Sequence, residues 1–219
     1  MGDSTNPSAD VARQEESTLQ TSGVDTVRSS YNRIADDYVN TRDQFVSLPY
    51  LEAIAAHLRP GGTVLDVGCG GGRPVAAFLS GRGFRVHGFD LSERMIELAK
   101  TNVPNATFVA GNMLDLVDGQ FAVDGIVSFY AIFHTPREQH QALLMRFASF
   151  LPRGGALLIT MGASDWVGGE EFHGEPMLWS HYGSERNVRL VESAGFSILR
   201  DEIDRSSGES HQVILALRK

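Results

Sequence analysis

The chain is poor in cysteine, in clustered positive charge and in long apolar runs. Its one cysteine, Cys69, cannot form an intrachain disulfide, so a reducing compartment, the cytoplasm by default, is the expected location. Lys and Arg number 19 against 27 Asp and Glu, a net charge of −8, and no basic cluster is dense enough to track a phosphate backbone. Nucleic acid is therefore not an expected partner. No apolar run is long enough to span a bilayer and no basic-then-apolar leader opens the sequence, so no membrane association is expected. A G-x-G-x-x-G dinucleotide fingerprint, a Gly-Lys-Ser/Thr phosphate loop and a spaced set of metal-ligating side chains are missing too, and no metal is expected. What is present, 219 residues at 42% hydrophobic composition, suits one folded domain with a sizeable core.

The strongest local signal is Val64-Leu65-Asp66-Val67-Gly68-Cys69-Gly70-Gly71-Gly72-Arg73-Pro74, followed by an amphipathic segment from Val75. An apolar run that breaks into alternate glycines and then resumes at helical spacing predicts strand, tight turn and helix. Glycines at 68, 70 and 72 let a ligand lie almost against the backbone, and the helix that follows offers its unpaired N–H groups to polar or anionic ligand atoms. One strand-helix-strand unit later, Arg85–Phe89 closes on Asp90. A carboxylate at that strand end can accept two hydrogen bonds from a ribose diol, or it can serve the turn before the helix Ser92–Thr101.

The order Asp-x-Gly-x-Gly-x-Gly resembles the first motif of the class I S-adenosylmethionine (SAM)-dependent methyltransferases, of the small-molecule type. The resemblance covers roughly residues 25 to 219 and implies an α/β fold, a three-layer Rossmann-like sandwich. Its seven-stranded, mostly parallel sheet runs in the order 3-2-1-4-5-7-6 with an antiparallel last strand. It implies SAM as cofactor, methyl transfer to an O, N or C nucleophile of a small molecule, and a monomer or homodimer. A SAM-binding protein that transfers another group, a non-catalytic SAM-binding module and an NAD-dependent oxidoreductase are the competing readings. Asp66, Gly68, Cys69, Gly70 and Gly72 are the expected loop residues, and Asp90 the expected ribose acid. Leu91 and Met95 are expected walls of the adenine site, although Met95 also suits a helix core. In Gly111-Asn112-Met113 the family's usual Asp is replaced by Asn112, whose amide oxygen can still meet an adenine amino group.

Residues 1–22 are polar and are expected to form a disordered tail, with a single domain over 23–219. From Val24 onward Val27, Tyr31, Ile34 and Tyr38 recur at helical spacing, and a second helix is expected from Pro49 to Leu58, the two forming lid helices over 23–58. The resemblance gives Tyr31 and Tyr38 the methionine end of the cofactor; the simpler reading is core packing. The third strand is expected at Ala106–Val109 and the fourth at Ala122–Ser128, whose carboxyl end leads into Ser128-Phe129-Tyr130-Ala131-Ile132-Phe133-His134. Ligands in open parallel sheets bind outside such ends. Ser128 and Phe129 are expected at the cofactor, and Tyr130 and His134 as catalytic residues. His134 is the candidate general base; it also suits a packed loop or cap histidine.

A helix over Arg137–Phe150 and a strand over Ala156–Met161 follow. The stretch 162–183 then loses periodicity and crowds Trp166, Phe172, Met177, Trp179, His181 and Tyr182 between glycines. A long loop of this kind inside a compact domain is expected to be a substrate lid for a flat or cationic small molecule, or else a plug over the sheet edge or a dimer contact. The helix Glu185–Ala194 and two strands, Phe196–Ile203 and Gln212–Leu217, complete the chain, the strands antiparallel because their connection is short.

Overall fold

The computed structural model describes residues 7–42, 47–206 and 208–219, and side chains from residue 23 within the first helix. Helix α1 spans Pro7–Arg42 and α2 Leu48–Ala55. A βα alternation follows: β1 Thr63–Val67, α3 Val75–Gly81, β2 Arg85–Asp90, α4 Glu93–Asn102, β3 Thr107–Ala110, β4 Gly125–Ser128, α5 His140–Phe150 and β5 Ala156–Gly162. A hairpin, β6 Trp166–Phe172 and β7 Glu175–His181, precedes α6 Ser184–Ser193, β8 Phe196–Asp204 and β9 His211–Arg218.

Seven strands form one sheet in the order β3-β2-β1-β4-β5-β9-β8. β1 pairs parallel with β2 and β4, β2 with β3 and β4 with β5, whereas β9 runs antiparallel to both β5 and β8. This is the expected order, with the last strand inserted between its neighbours. The central strands are buried along their whole length because helices cover both faces. Leu65, Ile126, Leu157, Ile159 and Ile214 meet α5 and α6 on one face. On the other, Val64, Val127, Leu158 and Val213 meet α2, α3 and α4. The split follows from the two-residue period of a strand.

Three expectations need correction. Residues 1–6 of the expected tail lie outside the described residues, but 7–22 are helical and continuous with the segment from Val24. Pro7 stands at the first helical position and no further Pro or Gly intervenes before Gly23, so propensity carries the helix where burial was not legible. The second expected lid helix is a core element: α2 buries Leu51 and Ile54 against the sheet-face cluster of α3. The aperiodic stretch after β5 is a paired hairpin, with Trp166 opposite His181 and Gly168 opposite Trp179. Its two-residue turn, His173-Gly174, has positive φ at both positions (52° and 80°), the type I′ geometry that matches strand twist.

Candidate active site

The glycine loop leaves β1 at the centre of the sheet, beside the reversal of strand order. The backbone N–H groups of Gly68 and Cys69 bond to the Phe89 carbonyl, which ties the loop to the end of β2. Gly70 has φ 51°, and a Cβ there would meet nothing within 4 Å, so this α-carbon borders open space. Gly68, Cys69, Gly70, Asp66 and Gly71 line a cavity that continues past Asp90, Leu91 and Met95 to Asn112 and Met113, and in the other direction to Phe129, Tyr130 and His134. It encloses about 920 Å3 with its open mouth included.

The Asp90 carboxylate is held from behind. One oxygen accepts from the Gly70 N–H at 2.8 Å and the other from the Ser92 N–H at 2.9 Å. Burial pushes its carboxyl up from the ordinary value, against the pull of those N–H groups. Asn112 caps the short turn Met113–Asp115, its amide oxygen accepting from the Leu114 N–H at 3.0 Å. One lone pair of that oxygen is thereby committed, and the second remains for a ligand amino group. The Cys69 thiol is pushed well above its usual value, first by burial and then by the Asp90 and Asp66 charges, so it stays protonated and serves as a wall.

Two expected loop and strand residues are not at the cavity. Gly72 faces α4, where a Cβ would lie 3.1 Å from Val103 and 3.3 Å from the Ala99 backbone. Glycine is required there for packing rather than for a ligand. Ser128 is fully buried in β4, its hydroxyl enclosed in the core without a hydrogen-bond partner, because the strand places it one residue short of the opening.

Helix α1 crosses the cavity and is fastened at both sides. Asn32 accepts from the Ser92 hydroxyl at 2.6 Å, and Arg94 grips Asp36 through two nitrogens at 2.8 and 3.1 Å. Toward the hairpin, the buried Ser30 hydroxyl donates to the Pro176 carbonyl at 2.6 Å and Arg33 pairs with Glu175 at 2.6 Å. Val27, Ile34 and Met177 form a small core between them, joined by Tyr31, Tyr38, Phe172 and Trp179. The two segments expected as separate lids are thus one cover. Tyr31 and Tyr38 line the cavity beneath it, edge to face at 5.7 Å.

His134 sits where β4 meets the cover. Its Nδ1 lies 2.8 Å from the Leu178 carbonyl and its Nε2 2.9 Å from the Tyr31 hydroxyl. A carbonyl can only accept, so Nδ1 carries the hydrogen and Nε2 accepts from the tyrosine. Burial lowers the His134 pKa to about 4, against the pull of the Leu178 carbonyl, and the ring is neutral at physiological pH. Tyr130 adopts φ 54°, a strained conformation for a non-glycine residue, at the carboxyl end of β4 where such strain clusters in functional sites.

The aromatic residues of 162–183 divide. Met177 is buried in the cover. Trp166, Phe172, Trp179 and His181 line a second concavity outside the first. Tyr182 reaches neither; it lies between the Arg137 and Arg186 guanidinium groups at 4.8 and 5.2 Å. Residues not foreseen include Val24, Val39, Arg73, Ala131 and Thr135. Small and apolar residues at a pocket carry no chemical signature in sequence. Arg73, next to the glycines, was the one that a search for charge beside the loop would have found.

A methyltransferase-domain family model matches residues 64–155. An uncharacterized methyltransferase of Synechocystis sp. is 32% identical over 193 residues, 84% of this chain and 88% of that one. The chain belongs to the class I SAM-dependent methyltransferases. Among solved structures, the 1,6-didemethyltoxoflavin-N1-methyltransferase of Burkholderia thailandensis superposes with a TM-score of 0.70 at 21% identity, covering 100% of this chain and 93% of that one. The magnesium protoporphyrin IX methyltransferase of Synechocystis gives 0.67 at 19% identity, over 90% and 100%. These two establish the fold that the methyltransferase shares. Among its described residues no helix is long and apolar enough to cross a membrane, and no group of three or more His, Cys, Asp or Glu is placed to hold a metal.

Proposed function

We propose that this methyltransferase moves the methyl group of SAM to an O, N or C nucleophile of a small molecule, with Tyr31 and His134 taking up the proton released. The observation that carries the reading is one cavity running from the glycine loop to the Tyr31–His134 pair. SAM supplies an activated methyl on a sulfonium, whose departing bond pair stays on sulfur. The residues present fit such a molecule. Gly70 leaves room at the backbone, Asp90 suits a ribose diol, and Leu91, Met95, Met113 and Asn112 suit an adenine. Tyr31, Tyr38, Phe129 and Tyr130 border the opposite end, where water must be excluded.

Positioning is the main contribution of the chain, because the group transferred is already activated. A proton leaving the acceptor passes to the Tyr31 oxygen as the Tyr31 hydrogen passes to Nε2 of His134. A base whose pKa is about 4 is weak. The relay therefore suits a nucleophile whose proton turns acidic as the new bond to carbon forms. Two proteins of the same fold are named for small acceptors, magnesium protoporphyrin IX and 1,6-didemethyltoxoflavin, which supports a small acceptor here.

The test is incubation with SAM and a panel of phenols, amines and heterocycles, read by mass spectrometry. A product heavier by one methylene, formed together with S-adenosylhomocysteine (SAH), is expected. Tight SAH binding without any alkylated product would favour a non-catalytic SAM-binding module.

A further inference from the structure

The cavity that joins the glycine loop to His134 has two unlike sides. Among the described residues, every Asp, Glu, Lys or Arg that lines it lies on the loop side: Asp66 on β1, Arg73 after the loop and Asp90 at the end of β2. The opposite side is built by Val24, Val27 and Tyr31 of α1 and by Phe129, Ala131 and His134 beyond β4. SAM brings charges of both signs, and the loop side has both signs to face them. A charge that a second molecule brought to the α1 side would lose its water and gain no partner there, which is costly. Burial keeps even the His134 ring neutral, with a pKa of about 4.

The α1 side also sets which way a hydrogen bond can run. The Leu178 carbonyl accepts from Nδ1–H of His134 at 2.8 Å, so Nε2 accepts the Tyr31 hydrogen at 2.9 Å. With that hydrogen committed, the Tyr31 oxygen presents lone pairs and no donor. It can receive an O–H or N–H, but it cannot donate to a carboxylate, a phenolate or a tertiary amine.

We infer that the methyl acceptor is an uncharged, largely apolar molecule that presents one O–H or N–H to the Tyr31 oxygen, a neutral phenol being the simplest case. The inference rests on the methyl-transfer reading above. In the step, the acceptor oxygen or nitrogen bonds to the methyl carbon as the carbon–sulfur bond breaks, and that electron pair stays on sulfur. The acceptor hydrogen passes to the Tyr31 oxygen and the Tyr31 hydrogen to Nε2. The products are SAH, a neutral methylated molecule and an imidazolium, which returns its extra proton to water. Carboxylates and aliphatic amines, charged near neutral pH, are rejected by the α1 side.

Four probes of one shape test this by calorimetry on the full chain saturated with SAH: 4-ethylphenol, 4-hydroxybenzylamine, 4-hydroxyphenylacetate and 4-ethyltoluene. The first three share the phenol and differ in the charge of the arm, and the last replaces the hydroxyl by a methyl group. 4-Ethylphenol is expected to bind at least about tenfold more tightly than the cationic and anionic phenols. In Tyr31→Phe the ratio of 4-ethylphenol to 4-ethyltoluene affinity should fall about tenfold, while 4-ethyltoluene binding shows that the cavity is intact. Equal binding of a charged phenol, no binding of 4-ethylphenol, or an unchanged ratio in Tyr31→Phe overturns the assignment. A methylated charged phenol, formed from SAM and seen by mass spectrometry, overturns it too and leaves methyl transfer standing. Failure of the unaltered protein to bind SAH overturns the cofactor reading itself, and the acceptor assignment with it.

Discussion

The Tyr31 hydroxyl and Nε2 of His134 lie 2.9 Å apart, across 103 positions of sequence, and join the N-terminal helix to the end of β4. The Leu178 carbonyl on the hairpin fixes the direction of that bond by holding Nδ1–H. Three segments therefore meet at one imidazole, which is part of the cover and the proposed proton acceptor of the site.

Replacement of His134 by Gln should lower turnover by roughly a hundredfold, the scale of a lost general base. SAH affinity should stay within about threefold of the parent value, because the proposed cofactor contacts lie on the loop, β2 and the turn after β3. Steady-state rates beside calorimetry separate the two, and an unchanged rate would remove His134 from the proton path.

Alanine at Gly70 and at Gly72 should act differently, although both glycines have positive φ, 51° and 83°. Each substitution incurs a backbone cost of about 1–2 kcal/mol. Gly72→Ala adds crowding against Val103 and Ala99, so its loss appears mainly in Tm. Gly70→Ala meets open space at the cavity, so it should weaken SAH binding well beyond its effect on Tm. Thermal melts with and without SAH make the comparison.

Asp90→Asn keeps one acceptor but turns an amide NH2 toward a backbone N–H, either Gly70 or Ser92. Leaving a buried donor unmatched costs about 1–3 kcal/mol. Stability should fall by that order and SAH affinity should fall as well, since the loop and the proposed ribose contact share this carboxylate. Equal SAH affinity in the variant would exclude the ribose role.

Acid should loosen the fold in a defined window. Burial holds His134 and His140 to pKa values of about 4, against 6.5 ordinarily. Between pH 6.5 and about 4 the unfolded chain takes up protons that the folded chain refuses, so stability declines as pH falls and is unaffected by these groups above 6.5. Asp90, whose carboxyl burial pushes up, works in the opposite sense at the acid end. The measure is thus the difference between proteins: Tm should fall less steeply across this window in His134→Gln than in the parent. Identical slopes would show that His134 protonates freely in the folded state.

The sheet and the loop were legible because their signals are local. An apolar run ending in glycines at fixed φ, and an acid at the end of the next strand, place Gly68, Gly70 and Asp90 without knowledge of the rest. Ser128 and Gly72 do not line the cavity because neighbours in sequence need not share a direction; one strand residue turns inward and one glycine packs on a helix. The hairpin was illegible because Gly168, Gly169 and the charges of β6 interrupt the alternation that marks a strand, and the His173-Gly174 turn is a less familiar form of Asn-Gly. The Tyr31–His134–Leu178 bonds were beyond reach, since they depend on three segments meeting in space.

Ser30 and Pro176, whose hydrogen bond helps to close the cover, are 146 positions apart. During synthesis α1 therefore emerges long before the hairpin it packs against, and its apolar stripe of Val27, Tyr31 and Ile34 waits uncovered while the sheet is being made. The binding cavity is completed late in the growth of the chain, by the meeting of an early element with a late one. Loss of the N-terminal helix would thus leave a sheet with its glycine loop intact but no enclosed site.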